Sequence, residues 1–335
     1  MNVLIIGGTG LLGSEAAREL MRRGHCVSAV ALPPAPKEAP PGMQIVFGNY
    51  LTMTDAELLK LLDGRESLVF AAGVDERVEG PPPVYELFMK YNVTPLERLL
   101  RLAKRAGVKR AVVCGSYFSY FDKLRPELEL SKRHPYIRSR REQEQTALTF
   151  ADADFAVSVL ELPYIFGAQP GRTPVWMFLV KYIRRMKLCT LYPRGGSAMI
   201  TVKQAGQAAA GALERNTGGA CYPLGYFNLT WKELLKIMHR HMGRPHRKVV
   251  TIPDWLFAAA GRGMKRRQEA KGLQGGLDLS KFAALQCKNQ FIGKSLGCEP
   301  LGVEPDDLDA AIGQSVRLCL DILAGRAETE GMRGE

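Results

Sequence analysis

Short apolar runs alternate with helix-like segments through the first half of the chain. The runs are continuously apolar, and each is followed by a stretch whose apolar positions lie three or four residues apart. The predicted strands cover residues 2–6, 26–31, 44–47, 67–72, 110–114 and 155–160, and the predicted helices cover 11–23, 54–62, 84–106 and 136–150. This alternation predicts an α/β fold with a doubly wound parallel sheet, covered by helices on both faces.

Turn and capping residues divide the chain into regions. The proline-rich stretch 32–42 and the polar segment 115–135 are interpreted as loops. Capping boxes predict helix starts at Thr54 with Glu57 and at Thr230 with Glu233. After residue 167 helices dominate, although some strands there are expected to complete the first sheet. The predicted organisation is a doubly wound domain at 1–167, a smaller, mostly helical C-terminal lobe at 168–325 and a flexible tail at 326–335.

Composition excludes several classes of protein. The formal net charge of the 335 residues is +12, but the basic residues are spread over many segments and accompany no nucleic-acid-binding motif. The seven cysteines are scattered and include no Cys-x-x-Cys pair, so neither a metal site nor a disulfide framework is expected. No secretory leader and no bilayer-spanning apolar run is recognised. A cytoplasmic protein without nucleic-acid partners or stable membrane insertion is therefore predicted.

A glycine-rich turn joins the first strand to the first helix. Gly7 would permit the tight turn, Gly10 would let the backbone approach a pyrophosphate, and Gly13 would let the helix pack closely on the strand. Free N–H groups and the positive end of the helix dipole would face the phosphates. The strand–turn–helix context predicts a dinucleotide site that also includes the turn residues Thr9, Leu11 and Leu12.

The Gly-x-x-Gly-x-x-Gly spacing resembles that of the extended short-chain dehydrogenase/reductase family, which includes NAD-dependent epimerases and dehydratases. Further landmarks of that family follow in its order, over roughly residues 1–170. They are Asn49 and Tyr50 beside the adenine, Ala71, Ala72 and Gly73 at the strand end that lines the cofactor, Asn92 on a helix, and Pro163 near the nicotinamide. The resemblance implies that residues 1–167 form a Rossmann-type domain that binds NAD or NADP, and that 168–325 form the lobe that binds a small-molecule substrate. Family members are often dimers, so a homodimer is a further expectation.

The choice between NAD and NADP stays open. In such proteins the second strand often ends in an acidic residue that binds the ribose 2′-hydroxyl and favours NAD. Here that place is Ala31, so this barrier to a 2′-phosphate is missing. No arginine replaces the acid, and Lys37 is only a loose candidate for binding a phosphate.

The resemblance also implies a catalytic tyrosine, a lysine four residues later and a hydroxyl donor. Residues four apart lie on one helix face, so Tyr136 and Arg140 fill the first two places, with arginine where the family has lysine. Ser116 falls at the strand end that carries the hydroxyl. Arginine keeps the positive charge but cannot relay a proton, so altered, slow or absent catalysis all remain open. A rival pair, Tyr120 with Lys123, has three-residue spacing within the expected loop.

The substrate side is less specific. Glu161 and Tyr164 stand where nucleotide-sugar enzymes of the family often carry arginine and asparagine, which weakens a sugar-nucleotide interpretation. The apolar stretch 175–179 favours core over pocket, but as pocket it would suit an apolar carbonyl or alcohol, as in sterol and flavonol reductases. The segment 255–271, apolar and then basic, is interpreted as a lobe helix, with an interfacial membrane anchor as the alternative.

Three functions follow from this reading. The first is an NAD(P)-dependent oxidoreductase, with Tyr136 as acid/base, Ser116 polarising the substrate oxygen, and Arg140 holding the ribose and stabilising tyrosinate. The second is a nucleotide-sugar epimerase or dehydratase. The third is a non-catalytic dinucleotide-binding sensor, because the family's lysine is replaced.

Overall fold

The computed structural model of the protein describes residues 1–33 and 39–328. Lys37 lies outside the described residues, as do residues 329–335 of the predicted tail.

Fifteen strands are formed within the described residues. They are Asn2–Ile6 (β1), Cys26–Ala31 (β2), Gln44–Phe47 (β3), Ser67–Phe70 (β4), Glu79–Gly80 (β5), Arg110–Cys114 (β6), Ala156–Glu161 (β7), Tyr164–Phe166 (β8), Cys189–Pro193 (β9), Gly196–Thr201 (β10), Gly219–Pro223 (β11), Phe227–Thr230 (β12), Lys248–Ile252 (β13), Gln274–Gly275 (β14) and Asn289–Gln290 (β15).

Seven of these strands form one parallel sheet in the order β3-β2-β1-β4-β6-β7-β11. The chain moves outward from β1 in one direction and then crosses back to β4, so the strand order reverses beside β1. Ligands of such sheets bind at the carboxyl ends of the strands at this point. The last strand, β11, comes from the C-terminal half and pairs with β7 through Gly219 opposite Val157.

Helices cover both faces of this sheet. The α-helices are Leu11–Arg22 (α1), Asp55–Leu62 (α2), Tyr85–Phe88 (α3), Thr94–Arg105 (α4), Tyr117–Leu124 (α5), Leu130–Arg133 (α6), Pro135–Thr149 (α7), Met177–Arg185 (α8), Val202–Arg215 (α9), Trp231–His241 (α10), Asp254–Glu269 (α11), Ala283–Gln286 (α12) and Leu308–Leu323 (α13). In β1, Val3 and Ile5 pack on α1 and α9, whereas Leu4 and Ile6 pack towards α2, α4 and α7. The doubly wound α/β fold predicted from the apolar runs is confirmed.

The C-terminal region mixes helices with small sheets. Strands β12, β10 and β15 form one sheet, which β8 joins through β10, and β9 pairs in parallel with β13. A separate hydrophobic core lies between α8, α10 and α13. The short antiparallel pair of β5 and β14 brings the segment after α11 back onto the loop that follows β4.

One prediction made for the middle of the chain is wrong. The segment 115–135 is not a loop, because Ser116 caps α5 and the helix buries Tyr117, Phe118 and Phe121. The predicted helix over 84–106 is confirmed as helical backbone from Tyr85 to Arg105, within which Met89–Val93 forms a π-helical turn. Single π turns inside helices are frequently found at functional sites, and this one carries Asn92.

The capping boxes are confirmed. Thr54 accepts from the backbone N–H of Glu57, Thr230 from that of Glu233, and the two glutamates reach back to the cap residues. Thr201 with Gln204 forms a third box that the sequence analysis missed. Within residues 1–33 and 39–328, no helix has both the length and the apolar character needed to cross a membrane.

Candidate active site

The glycine turn lies between β1 and α1 at the centre of the parallel sheet. Gly7 adopts a positive φ of 83°, which favours glycine, and its N–H donates to the Val30 carbonyl at 3.2 Å. A Cβ on Gly7 would lie 3.0 Å from the Ala71 oxygen and the Ala72 nitrogen. The structure therefore brings the turn together with the predicted cofactor-lining residues at the end of β4.

Gly13 and Gly10 differ in what surrounds them. A Cβ on Gly13 would overlap the Gly7 oxygen and the Gly8 Cα, so close packing of the helix on the turn requires this glycine. A Cβ on Gly10 would meet only the Gly7 oxygen, at 3.3 Å, and the space beyond is open. Gly10 caps α1 without a side-chain hydrogen bond, which leaves amide groups of the first turn free for an anion. These features fit a dinucleotide pyrophosphate.

Gln169, which the sequence analysis missed, closes the turn from the other side. Its Nε2 donates to the carbonyl of Thr9 at 3.0 Å, and its Oε1 is buried without a hydrogen-bond partner among the described residues. Buried amide oxygens are nearly always satisfied, so an unpartnered one suggests a missing donor from a ligand or water. Thr9 itself is buried, whereas Leu11 and Leu12 are partly exposed. No local motif marks Gln169, which is 160 residues from Thr9.

Asn49 and Tyr50 follow β3 on the predicted adenine side. Asn49 uses its side-chain oxygen within its own turn, accepting from the backbone N–H of Leu51 at 3.0 Å. Tyr50 packs edge-on against Phe70, with ring centres 6.2 Å apart, and burial raises the pKa of its phenol to about 12. Ala31 ends β2 and is buried, so no carboxylate stands at that place.

Asn92 holds the loop that follows β4. Its Oδ1 accepts from the Val74 N–H at 2.8 Å, and its Nδ2 donates to the Val74 carbonyl at 3.1 Å. Gly73 has a positive φ of 124°, and a Cβ there would lie 2.5 Å from the Asn92 Oδ1. Glycine and asparagine at these positions therefore shape the strand end together, which gives Asn92 a structural role in addition to the predicted contact with the cofactor.

Arg140 lies on α7 and donates hydrogen bonds to three groups, two after strands and one on its own helix. Its Nη2 donates to the Val74 carbonyl at 3.2 Å, and its Nη1 donates to the Cys114 carbonyl at 3.4 Å and to the Gln143 Oε1 at 2.8 Å. Gln143 in turn donates to the Asn92 carbonyl at 2.7 Å. The Arg140 Nε is buried without a partner among the described residues. One guanidinium thus joins the carboxyl ends of β4 and β6 to α7.

Tyr136 stands one helical turn before Arg140, and the two side chains stack. The guanidinium carbon of Arg140 lies 5.1 Å from the centre of the Tyr136 ring, within the range of a cation–π contact. Phe88 and Phe118 pack edge-on against the same ring. Burial raises the pKa of the Tyr136 phenol above its ordinary value, and the charge of Arg140 opposes that rise. The free protein therefore keeps this phenol protonated at neutral pH.

Ser116 and Pro163 flank this pair along the chain. Ser116 is buried at the start of α5, where its hydroxyl accepts from the Phe118 N–H at 3.4 Å. No hydrogen bond joins Ser116 to Tyr136 among the described residues. Pro163 is buried between β7 and β8.

The rival pair Tyr120 and Lys123 lies in helix α5 rather than in a loop. The Lys123 ammonium is 2.7 Å from Glu144 and 3.0 Å from Glu161, two buried carboxylates. Burial raises the pKa of Glu161 to about 7, and the Lys123 charge opposes that rise. Lys123 is therefore engaged in ion pairs with Glu144 and Glu161 and is not available to pair with a tyrosine.

Glu76 is a candidate functional residue that the sequence analysis missed. It follows Val74 in the loop after β4, and burial together with the nearby Asp75 raises the pKa of its carboxyl to about 7. Its charge acts on Tyr136, and the positive charges of Arg77 and Arg140 act on it in turn. A carboxyl that titrates near neutrality beside a buried tyrosine is a typical acid/base candidate.

The apolar stretch 175–179 is mostly core. Trp176 stacks on Phe166 with ring centres 4.2 Å apart, and its indole N–H donates to the Ile165 carbonyl at 2.8 Å. Phe178 is exposed, with its ring centre 6.3 Å from that of Trp176. Phe88 and Phe118, which pack on the Tyr136 ring, are themselves buried core residues.

Comparison with known proteins identifies relatives of this arrangement. A sequence model of the NAD dependent epimerase/dehydratase family matches residues 3–208. The chain is 30% identical over 118 residues to the 3β-hydroxysteroid dehydrogenase/Δ5→4-isomerase of Mycobacterium tuberculosis strain H37Rv, covering 34% of this chain and 31% of that protein. The chain thus matches about a third of that relative's length. A dihydroflavonol 4-reductase homologue of Synechocystis is 24% identical over 267 residues, which is 75% of each chain.

Solved structures agree on the fold. The UDP-glucose-4-epimerase of Stenotrophomonas maltophila, with bound NAD and formylated UDP-arabinopyranose, superposes with a TM-score of 0.67. The identity is 17%, and the superposition covers 97% of this chain and 99% of that one. The family match spans more than half of the sequence and includes the glycine turn, Asn92, Tyr136 and Arg140. The resemblance to extended short-chain dehydrogenases is confirmed, and the chain belongs to the NAD dependent epimerase/dehydratase family.

Proposed function

We propose that the protein is an NAD(P)-dependent dehydrogenase or reductase that acts at a carbinol or carbonyl carbon of a small apolar molecule. The observation that carries this proposal is the stacked pair of Tyr136 and Arg140, which lies at the carboxyl ends of β4 and β6. This is the edge of the sheet where ligands of doubly wound folds bind. Residues 1–167 would then bind the dinucleotide, and 168–325 would shape the substrate side.

The cofactor's pyrophosphate would be held by the turn from Gly7 to Gly13. The open space beside Gly10 and the free amides of α1 suit its charge, and Gln169 fixes the turn from behind. When bound, the nicotinamide ring gives or takes the hydride. The proposal leaves NAD and NADP open, because Ala31 offers no carboxylate to reject a 2′-phosphate.

Tyr136 moves the proton in this proposal. During carbonyl reduction its phenol donates a proton to the substrate oxygen, and the phenolate that remains is stabilised by the Arg140 charge. Arg140 stays protonated throughout, so it positions and stabilises rather than relays. The phenolate regains its proton from solvent or from Glu76, whose pKa of about 7 makes it a suitable donor.

The substrate class follows from what surrounds the tyrosine. The buried Phe88 and Phe118 pack on the Tyr136 ring, so the surroundings of this tyrosine are apolar. Glu161, where related sugar-nucleotide enzymes often carry arginine, is fully buried against Lys123. Two relatives are named a hydroxysteroid dehydrogenase and a dihydroflavonol reductase, names that refer to ring compounds. An alicyclic or aromatic ketone or alcohol is therefore proposed.

A non-catalytic dinucleotide-binding protein is the second candidate. The observation that favours it is the engagement of Arg140, whose two terminal nitrogens are both bonded to protein groups. An arginine used as a clamp would not need to support turnover. Nucleotide-sugar epimerisation is a third candidate, drawn from the bound ligand of the Stenotrophomonas epimerase.

One assay separates these candidates. Purified protein would be incubated with NADH or NADPH and a panel of ring ketones, while the reduced nicotinamide absorbance is followed. Tyr136→Phe should lower turnover by about 100- to 10,000-fold and leave coenzyme binding in place. Tyr120→Phe, on the neighbouring helix α5, is the matched control and should keep the wild-type rate.

Three outcomes would contradict the enzyme proposal. Full turnover in Tyr136→Phe would remove the proposed acid. Coenzyme binding without turnover of any ketone, alcohol or nucleotide sugar would favour the non-catalytic candidate. Turnover of a nucleotide sugar alone would favour the epimerase.

A further inference from the structure

Helix α11, Asp254–Glu269, rests on the surface of the C-terminal region with one face uncovered. Within this helix only Gly261 is buried. Trp255 is 69% exposed, and Leu256 and Met264 are exposed as well. At about 100° per residue, Trp255 and Leu256 project at least about 120° away from Gly261, whereas Met264 lies on the flank, about 60° from Gly261. A tryptophan and a leucine together on the uncovered face need an explanation.

The same face is positively charged towards its end. Arg262, Arg266 and Arg267 are exposed, and Lys271 follows just after the helix. None of these four side chains forms an ion pair with a described residue, whereas the nearby Lys265 is paired with Asp278. The basic residues therefore remain available to an external anionic surface. We name the face formed by Trp255, Leu256, Arg262, Arg266, Arg267 and Lys271 the α11 face.

The helix is fixed in this orientation by contacts on its other side. A Cβ on Gly261 would overlap the Leu279 carbonyl, so helix and chain meet closely there. Asp254 pairs with Arg194 at 2.6 Å, and Gln268 donates to Glu79 at 2.8 Å. The α11 face is thus held outward by contacts at both ends and in the middle of the helix.

We propose that the α11 face binds the surface of an anionic lipid bilayer. Tryptophan and aliphatic side chains favour the boundary between head groups and acyl chains, and unpaired arginines favour anionic head groups. A second copy of this chain is a poorer partner, because a symmetric contact through this face would bring the unpaired arginines of both copies together. The binding is peripheral, and it does not depend on the proposed reaction.

Vesicle binding tests the proposal with the full chain. Sucrose-loaded vesicles of phosphatidylglycerol and phosphatidylcholine should sediment the protein at physiological salt, and vesicles of phosphatidylcholine alone should sediment much less. Tryptophan emission should shift to shorter wavelength on binding. The signal reports on Trp255, because Trp176 and Trp231 are only 4% and 1% exposed.

Variants locate the binding surface. Arg266→Glu with Arg267→Glu should weaken binding to anionic vesicles by at least about 25-fold, since each basic residue near such a surface contributes about fivefold. Trp255→Ala should weaken binding and abolish the emission shift. The charge control is Arg105→Glu with Lys109→Glu. Both residues are exposed elsewhere on the surface, and neither forms an ion pair with a described residue. This variant should bind anionic vesicles within about threefold of the wild type. All altered side chains are exposed, and unchanged melting temperatures would verify folding.

Three results would overturn the proposal. The first is no binding to anionic vesicles. The second is equal weakening by the charge control, which would mean general attraction of a basic protein. The third is dimerisation in light scattering that Trp255→Ala abolishes, which would assign the face to a second copy.

Discussion

Arg140 donates a hydrogen bond to the carbonyl oxygen of Val74 at 3.2 Å, in the loop directly after β4. The same guanidinium also reaches the Cys114 carbonyl after β6 and the Gln143 side chain. A lysine ammonium is a point charge on a flexible stem and cannot hold three acceptors in one plane. The arginine found in place of the family's lysine is therefore part of the architecture of the strand ends, whatever it does for Tyr136.

Replacing Arg140 tests how much its hydrogen bonds contribute to stability. Arg140→Lys should lower the free energy of unfolding by about 1–3 kcal/mol, because at least two hydrogen bonds to buried acceptors are lost. Chemical denaturation would measure the loss. Arg138→Lys, at an exposed position on the same helix, should change stability by less than about 0.5 kcal/mol. Equal stability of Arg140→Lys and wild type would show that the contacts to Val74 and Cys114 contribute nothing.

The same variant addresses turnover. If the arginine only impairs the chemistry, Arg140→Lys should raise the rate with a ring ketone, since lysine combines charge with a more mobile ammonium. Unchanged absence of turnover with intact coenzyme binding would favour the non-catalytic candidate.

The fold could be predicted because its signals are local. Apolar runs, capping residues and glycine spacing act over a few residues, so β1, the glycine turn and α1 follow from positions 2–23. The sequence analysis missed helix α5 because a serine such as Ser116 at its start is also typical of a loop. The burial of the helix depends on packing against α7, which the local sequence does not show. Asn92, in the π turn, accepts a hydrogen bond from Val74, 18 residues away, and no local pattern marks this contact. Site features set by distant contacts, such as the pKa of Glu76, leave no local pattern to recognise.

Two glycines of the turn should respond differently to an added methyl group. Gly13→Ala should destabilise the fold by about 1–3 kcal/mol, because its Cβ would overlap the backbone of Gly7 and Gly8. Gly10→Ala should keep the fold, because its φ of −80° suits any residue and its Cβ meets only one atom. It should instead weaken coenzyme binding by at least about tenfold, since the methyl group projects into the open space beside the free amides.

Thermal melting and calorimetry with NAD and NADP distinguish these effects. Gly24→Ala is the comparison variant, because its surroundings are open but its φ is 85°, so it isolates backbone strain from crowding. Undiminished coenzyme affinity in Gly10→Ala would place the pyrophosphate elsewhere.

Gln169 should contribute to the coenzyme site through the turn. Gln169→Leu removes the hydrogen bond to the Thr9 carbonyl and also the unpartnered Oε1, at similar side-chain volume. We expect stability to change by no more than about 1 kcal/mol and coenzyme affinity to fall several-fold, because the turn loses its support. Gln268→Leu, which loses an exposed bond to Glu79, is the control and should leave affinity unchanged. Equal affinities in the two variants would make Gln169 a packing residue only.

Glu76 should make stability fall as the pH rises. The pKa of its carboxyl is raised to about 7 in the folded protein, above the ordinary value near 4.5, so the folded state holds this proton more tightly. The stabilisation is fully present below pH 4.5 and is lost as the pH rises towards 7. Glu76→Gln, neutral at every pH, should therefore remove roughly 2–3 kcal/mol of this loss in unfolding experiments at pH 5 and pH 8. Glu86→Gln, at an exposed position of α3, should keep the wild-type pH dependence. If the stability of Glu76→Gln depended on pH as the wild type does, the Glu76 carboxyl would have its ordinary pKa. It would then not be the proton donor to Tyr136.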